Sequence, residues 1–337
     1  MHFFRNHKNS VPLLCLLISS VLLSSCATRV QKATDPLHRA TAYLAPDDPG
    51  KPFFRFSPVF LAEESRKPHN RIGTAAARIN EAGEEEVFVD PDAATIYIRK
   101  QQFTTENGDY TNLIYRINFQ KVPCGLIDFN LTCGSNVGLF VYITLNEEEQ
   151  PVLITTVHTC GCYLGFVPTS YLAPEMYPPG WDTRSHYVYG ELLPGLIDYE
   201  KINNHDNTKL IIRLKKDTHR VMGMDISDID TLADHFILKT ADYRHADSLL
   251  EIPLQGGHTS FFEMSGCRKG YVKNSHKPFE RLLMSWWAFD WYIGEDKRLG
   301  PEEKTGNIFY TSLKFWAREE SNIWDFAAFL RYWGWSL

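Results

Sequence analysis

Apolar and polar residues alternate from residue 87 to residue 167, and this alternation constrains the fold more than any other feature of the chain. The period of two seen at Ile96 and Ile98 resumes at Leu113, after the pair Asn107-Gly108, which is typical of a tight hairpin turn. A second pair of such runs, joined by a polar turn, follows before residue 167. Successive side chains of a strand point to opposite faces, so two half-apolar hairpins predict an antiparallel sheet with a buried face.

The second half of the chain mixes strand-like and helix-like patterns. Residues 210–214 and 221–226 are typical of a further strand pair. Residues 279–293 are apolar on nearly every side, which predicts a buried helix, and residues 322–333 predict a capped amphipathic helix. The predicted class is α+β, with an antiparallel β-hairpin sheet in the first half. Mixed strands and apolar, aromatic-rich helices are expected in the second half.

The first 26 residues have the features of an export signal. Arg5 and Lys8 give a positive start, and an apolar run covers residues 11–23. A membrane-spanning helix needs about 20 apolar residues, so this shorter run is typical of a signal peptide. The run is followed by two serines and Cys26.

This ending resembles the lipobox of bacterial lipoproteins, in which a branched apolar residue and two small residues precede a cysteine. The resemblance implies cleavage before Cys26 and lipidation of that cysteine, so that the membrane becomes a partner through the lipid anchor. Ala27 replaces the aspartate that retains well-studied Gram-negative lipoproteins at the inner membrane. The expected location is therefore the bacterial cell envelope, at the outer membrane facing the periplasm. An ordinary secretory signal is the alternative, and it also exports the protein.

Four regions are expected along the chain. Residues 1–25 form the signal peptide, and residues 26–52, which lack a sustained period, form a lipidated tether. Residues 53–167 are β-rich and residues 168–337 are mixed α/β, and the sequence leaves open whether these two regions share one compact domain. The net charge of −6, without a basic patch, argues against a nucleic-acid partner. An envelope protein or a glycan is the partner expected beyond the membrane.

His158, Cys160 and Cys162 are the one cluster with reactive chemistry. If residues 152–167 form a strand, these alternate positions share a face, and imidazole and thiolate are preferred ligands of zinc and copper. On a regular strand the outer two lie about 13 Å apart, too far for one ion to reach all three. A bulge at Gly161 would gather them.

The partners of this cluster are left open by the sequence. Cys267 or His258 would complete a zinc or copper site. In an exported chain disulfides are the first expectation, and a bond from Cys267 to Cys160 or Cys162 is one form of it. A redox-active Cys-Gly-Cys disulfide is the third alternative. Structural disulfide bonding or thiol packing is favoured over the metal and redox alternatives.

Two further cysteines, Cys124 and Cys133, are the natural local disulfide pair, because they lie only nine positions apart. Asp290, Glu295 and Asp296 offer carboxylates for acid–base chemistry, but a solvated helix end is favoured for them. Core packing is favoured over sugar stacking for the tryptophans of the second half, namely Trp286, Trp287, Trp291, Trp316, Trp324, Trp333 and Trp335.

The sequence contains no phosphate-binding glycine loop, zinc-protease motif or nucleophile elbow, so the catalytic residues are unknown at this stage. The predicted function is binding or scaffolding in the cell envelope, by a lipoprotein anchored at Cys26. The alternative is a metal-binding or thiol-redox protein centred on His158, Cys160 and Cys162.

Overall fold

Two β-sheets that pack face to face form the centre of the fold. The computed structural model describes residues 39–46, 50–125, 130–200 and 207–337. The expected signal peptide, the lipidation site Cys26 and most of the expected tether lie outside the described residues. Residues 41–44, which the sequence analysis placed in the tether, instead form a buried strand. A run of four residues is too short to show a period, so this strand left no clear pattern.

The described residues contain strands of 3 to 15 residues. In chain order they are β1 Thr41–Leu44, β2 Val59–Ala62, β3 Thr74–Ile79, β4 Glu85–Asp90, β5 Thr95–Thr105, β6 Gly108–Val122, β7 Gly134–Leu145, β8 Pro151–His158, β9 Gly165–Pro168, β10 Ser185–Val188, β11 Glu191–Pro194, β12 Thr208–Leu214, β13 Val221–Asp228, β14 Ile237–Thr240, β15 Asp242–His245, β16 Ile252–Leu254 and β17 Gly257–Thr259. The helices are α1 Pro52–Arg55, α2 Ile229–Ala233, α3 Pro278–Ala288, α4 Glu302–Thr305 and α5 Phe326–Tyr332.

The larger sheet has the order β15-β5-β6-β7-β8-β9, and all its pairs are antiparallel except β15 with β5. Its first hairpin turns between Thr105 and Gly108, as the sequence predicted. The smaller sheet, of order β13-β12-β2-β1-β14, mixes parallel and antiparallel pairs. Three two-stranded ribbons complete the strands of the described part. The prediction of a sheet-rich α+β protein is therefore confirmed.

The larger sheet is buried on both faces, so the prediction of a single buried face is wrong. Leu113 and Tyr115, on one face, belong to the same core cluster as Phe60 and Ile212 of the smaller sheet. On the other face, Tyr142 stacks on Phe326 of α5, with ring centroids 5.2 Å apart. Alternating residues of one strand thus contact two separate cores, which is why most positions of β6 and β7 are buried.

Residues 36–337 form one compact unit. Within the described part of the chain, none of the helices is long and apolar enough to cross a membrane.

The prediction of a buried helix over residues 279–293 is wrong. α3 ends at Ala288, and its apolar side chains face solvent: Leu282 is 73% exposed and Trp286 is 74% exposed. An apolar run shows only that a helix has few charged side chains. It does not show whether another part of the fold packs against that helix and buries it. Core packing holds for Trp335, which is 1% exposed, and fails for Trp286, Trp287, Trp291 and Trp316, which are exposed.

Candidate functional site

The chain reverses direction directly after β8 and gathers the predicted cluster in one turn. The backbone N–H of His158 donates to the carbonyl oxygen of Cys162 at 2.9 Å, and that of Gly161 donates to His158 at 2.8 Å. Gly161 has a φ of +93°, which favours glycine. A Cβ at this position would also lie 2.2 Å from the carbonyl oxygen of Tyr310. The site therefore requires glycine at 161 on two independent grounds.

This turn changes the geometry expected from the sequence. The prediction that residues 158–162 lie within one continuous strand is wrong, because β8 ends at His158 and β9 begins only at Gly165. Ligand atoms of His158, Cys160 and Cys162 lie within 4.8 Å of one another. The separation of about 13 Å expected for a regular strand does not apply.

Cys160 and Cys162 are joined by a disulfide, with Cα atoms 5.6 Å apart. Cys160 is buried and Cys162 is half-buried. The alternative pairing with Cys267 is wrong, since Cys267 is a free, exposed cysteine. Neither Cys267 nor His258, also exposed, belongs to the cluster of possible metal ligands in the described residues. Both lie on separate segments, a short helical turn and the β16–β17 ribbon.

The second predicted pair, Cys124 and Cys133, also forms a disulfide, with Cα atoms 5.0 Å apart. Cys133 is fully buried in the core between the two sheets, whereas Cys124 is exposed. The residue before Cys133, Thr132, belongs to the wall of the cavity described next. This disulfide therefore closes a loop at the edge of the site.

The Cys160–Cys162 disulfide lines a cavity of about 160 Å³. Apolar side chains dominate the wall, and Glu280 is its one acidic residue. The lining residues are Leu131, Thr132, Cys160, Gly161, Cys162, Tyr163, Tyr189, Glu280, Met284, Ile293, Gly294, Tyr310, Thr311 and Leu313. A small number of polar groups within an apolar wall is typical of a binding or reaction site.

A buried lysine, Lys297, contacts the backbone of Cys160. The Lys297 ammonium donates to the carbonyl oxygen of Cys160 at 3.1 Å and lies 4.5 Å from the centre of the Tyr310 ring. Burial lowers the pKa of Lys297 to about 8, although the carboxylates of Asp290 and Asp296 oppose this shift. At neutral pH the group is still mainly protonated, so it places a positive charge next to Cys160.

A second buried lysine pairs with an aspartate. The Lys277 ammonium lies 3.1 Å from Oδ2 of Asp296, and both side chains are 1% exposed. The other oxygen of Asp296 accepts hydrogen bonds from the Thr159 hydroxyl and from the Gly138 N–H. Burial lowers the pKa of Lys277, but the nearby carboxylates outweigh burial, and the pKa ends above its ordinary value. This ion pair fixes the segment that carries Thr159 and Cys160.

Glu280 is the acidic group of the cavity wall. It is 5% exposed, and its Oε2 has no hydrogen-bond partner within the described structure. Burial raises the pKa of Glu280; the Lys277 ammonium opposes this shift and the Asp296 carboxylate adds to it. A carboxyl group with a raised pKa in the wall of a cavity can accept and return a proton.

His158 is held neutral beside the disulfide. It is 3% exposed, and its Nε2 lies 3.3 Å from the carbonyl oxygen of His219. A carbonyl oxygen only accepts hydrogen bonds, so Nε2 carries the ring proton and Nδ1 is left with a free lone pair. Burial, reinforced by the charge of Lys277, lowers the pKa of His158 well below its usual range.

The favoured interpretation of Glu295 and Asp296 as a solvated helix end is wrong. Glu295 is 2% exposed and pairs with Arg268, and Asp296 and Lys297 are 1% and 0% exposed. Asp290 is bonded to the hydroxyl of Tyr310. Three consecutive charged residues after a helix are usually solvated, and only their tertiary partners reveal that these are buried.

Sequence reasoning found His158, Cys160 and Cys162 but missed the groups around them. Glu280 and Lys277 lie more than 100 positions away in the chain and share no spacing with the cysteines. The only sequence signal near these residues is the pair Lys277-Pro278 before an apolar helix. This pair is also typical of an ordinary helix start, so it does not indicate a functional site. Compared with protein-family models, curated proteins and solved structures, the chain shows no match.

Proposed function

We propose that this chain is a lipid-anchored protein of the bacterial cell envelope that exchanges thiols and disulfides at Cys160–Cys162. The observation that carries this proposal is the position of the disulfide: both cysteines line a cavity, and Cys162 is only half-buried. Exchange begins with a thiolate that attacks one sulfur, so one sulfur must be accessible. The signal features that end at Cys26 support the anchor and the export into a disulfide-forming compartment.

The reaction oxidises a dithiol of a partner protein and reduces the disulfide of this chain. A partner thiol loses its proton and attacks Sγ of Cys162, the bond between the two cysteines breaks, and Cys160 leaves as a thiolate. Glu280 in its acid form protonates that thiolate. The partner's second thiol then gives its proton to Glu280 and attacks the mixed disulfide. Cys162 leaves as a thiolate and takes up the proton that the first partner thiol lost, so two electrons and two protons have moved.

Two neighbours support these steps. The positive charge of Lys297 lies at the carbonyl group of Cys160 and stabilises the departing thiolate, which lowers the barrier to exchange. Glu280 lines the same cavity as both cysteines, and the direction of its pKa shift favours the acid form that protonates the departing thiolate.

The test uses the purified oxidised protein and a peptide that contains two thiols. Disulfide formation in the peptide is followed by mass spectrometry, with the variants Cys160→Ser and Cys162→Ser, and with Cys267→Ser as the matched control because Cys267 is already free and exposed. We expect wild type and the control to oxidise the peptide equally. Cys160→Ser and Cys162→Ser lack the disulfide and should not oxidise the peptide. With the oxidised peptide in place of the reduced one, the free Cys162 of Cys160→Ser should form a mixed disulfide roughly tenfold faster than the free Cys160 of Cys162→Ser, because Cys160 is buried. Absence of peptide oxidation by wild type would overturn the proposal.

A second candidate function is metal binding by the reduced cluster. It is favoured by the convergence of His158, Cys160 and Cys162, whose ligand atoms lie within 4.8 Å of one another. The hydrogen bond from Nε2 of His158 to a backbone carbonyl leaves Nδ1 as a donor to a metal, an arrangement common at metal sites. Two thiolates and an imidazole suit zinc or copper.

Metal uptake separates this candidate from thiol exchange. The reduced wild-type protein is titrated with zinc and with Cu(I), in parallel with Cys162→Ser. One equivalent bound by wild type and none by the variant supports the metal candidate. If reduced wild type takes up neither metal, the metal candidate is excluded. That result does not bear on the exchange reaction. Because thiolates must lose their protons to bind, uptake should weaken as pH falls.

A further inference from the structure

An exposed apolar surface lies next to the cavity, on α3 and on the loop that follows α4. We call it the aromatic patch. Its members are 40–74% exposed, and they are Leu282, Leu283, Trp286, Trp287, Phe289, Trp291, Leu313, Phe315 and Trp316. Single exposed apolar residues are normal on a protein, but a contiguous group of this kind marks an interaction surface.

Ring contacts join the two halves of the aromatic patch. The ring centroids of Phe289 and Phe315 lie 5.1 Å apart, and those of Phe315 and Trp316 lie 5.0 Å apart. The Arg318 guanidinium donates to the carbonyl oxygens of Ala288 and Phe289 at 2.7 and 3.2 Å, which ties the loop to the end of α3. The patch is therefore a single fixed surface.

Charges of both signs border the aromatic patch. Arg281 stacks on Trp291, with its guanidinium 4.0 Å from the ring centroid, and Lys314 and Arg318 lie within the loop half. The acid inside the patch, Asp290, accepts a hydrogen bond from the hydroxyl of Tyr310. Two exposed acids, Glu319 and Glu320, follow at its edge. Three cations thus adjoin three acids, and the patch itself presents apolar and aromatic side chains.

We infer that the aromatic patch docks on the surface of a lipid bilayer. Tryptophan and leucine on one helix face, flanked by arginine and lysine, are the composition of interfacial membrane-binding helices. The inference rests on the lipid anchor of the proposed function. Residues 27–38 separate Cys26 from the first described residue and span at most about 40 Å of chain, so an anchored protein cannot move far from the membrane.

Docking would also orient the redox site. Met284 and Leu313 line the cavity, and they belong to the same helix and loop as the aromatic patch. The cavity of a docked molecule would therefore lie beside the bilayer surface, where thiols of membrane-attached partners are found.

The test measures tryptophan quenching by lipid. The full-length lipidated protein is placed in vesicles of phosphatidylethanolamine and phosphatidylglycerol that contain a phospholipid spin-labelled near its headgroup. Four of the eight tryptophans belong to the patch, so we expect quenching of part of the emission. The variant Leu282→Asp/Leu283→Asp/Phe315→Asp keeps all tryptophans and should lose this quenching. The matched control Ile79→Asp/Ile237→Asp changes exposed apolar residues outside the patch and should keep it.

The results separate this inference from the proposed function. Wild type without quenching, or quenching that survives in the triple variant, overturns membrane docking, and a protein partner would then cover the patch. If the triple variant does not fold, Leu282→Asp alone is tested, since Leu282 is 73% exposed. The mass of the Cys26 peptide and peptide oxidation are measured on the same preparation. A Cys26 peptide without lipid overturns the anchor, and absence of peptide oxidation overturns the exchange reaction. In either case, soluble protein added to the vesicles still tests docking.

Discussion

The Lys297 ammonium nitrogen lies 3.1 Å from the carbonyl oxygen of Cys160, so a buried positive charge adjoins the disulfide that lines the cavity. Lys297 is 0% exposed. The carbonyl oxygen of Cys160, the rings of Tyr310, Tyr271 and Phe309, and the carboxylates of Asp290 and Asp296 compensate only part of its lost hydration. Such a lysine is costly for folding. In the proposed reaction, the same charge stabilises the thiolate that leaves when the disulfide is attacked.

The cost of burying Lys297 should appear in the pH dependence of stability. Burial lowers its pKa from 10.5 to about 8, so the unfolded chain binds more protons than the folded chain between these values. The free energy of unfolding of wild type, relative to Lys297→Met, should therefore rise with pH across this window, by on the order of 3 kcal/mol. Urea unfolding of the oxidised proteins between pH 7.5 and 10.5 measures it. Parallel pH profiles for the two proteins would contradict the lowered pKa.

Glu280 should control proton transfer in the exchange reaction. Glu280→Gln keeps the shape of the cavity wall but removes the proton, so peptide oxidation should slow by at least about tenfold. In Glu280→Gln, the change of rate with pH that comes from the titration of Glu280 should also disappear. Because burial raises the pKa of Glu280, the uncharged variant should fold at least as stably as wild type at pH 7. The control is Met284→Leu on the same wall, and equal rates for all three proteins would exclude this role.

The Cys124–Cys133 disulfide should stabilise the fold without taking part in exchange. Closing a loop of about ten residues contributes roughly 2–3 kcal/mol, so Cys124→Ala/Cys133→Ala should lower the free energy of unfolding by that amount. Denaturant unfolding is the measurement. Cys267→Ser should leave stability unchanged. A double variant as stable as wild type would show that this disulfide does not constrain the unfolded chain.

Lipidation at Cys26 should be visible in the mass of the mature protein. The positive start, the short apolar run and the two serines before Cys26 predict cleavage at that residue. Mass spectrometry of protein extracted from membranes should find an acylated amino-terminal Cys26. A soluble mature form, or a chain that still begins at Met1, would be inconsistent with the anchor.

The sheets could be anticipated from the sequence because the apolar side chains that face the core between the two sheets recur with a period of two. Leu113, Tyr115 and Ile117 alternate, and the turn before Gly108 has a strong local signal, so strands β5 to β8 followed from local pattern. The exposed face of α3 could not be anticipated. Trp286 has the same local pattern whether or not another element covers it.

Part of the candidate site could also be predicted from the sequence, and part could not. His158, Cys160 and Cys162 were identified by residue type, but their convergence depends on where β8 ends, which a positive φ at Gly161 determines. Glu280 and Lys297 reach the cysteines only through tertiary packing. Residues brought together by tertiary packing have no characteristic spacing along the chain, so a single sequence does not reveal such contacts.

Selective reduction of Cys160–Cys162 in the folded protein tests the central claim most directly. The native protein is equilibrated with glutathione buffers of increasing reducing strength, free thiols are trapped, and each cysteine is quantified by mass spectrometry. We predict that Cys160 and Cys162 become reduced while Cys124–Cys133 stays oxidised and the protein stays folded. Reduction of Cys160–Cys162 only together with Cys124–Cys133, or only after unfolding, would contradict a redox-active site and leave a structural disulfide.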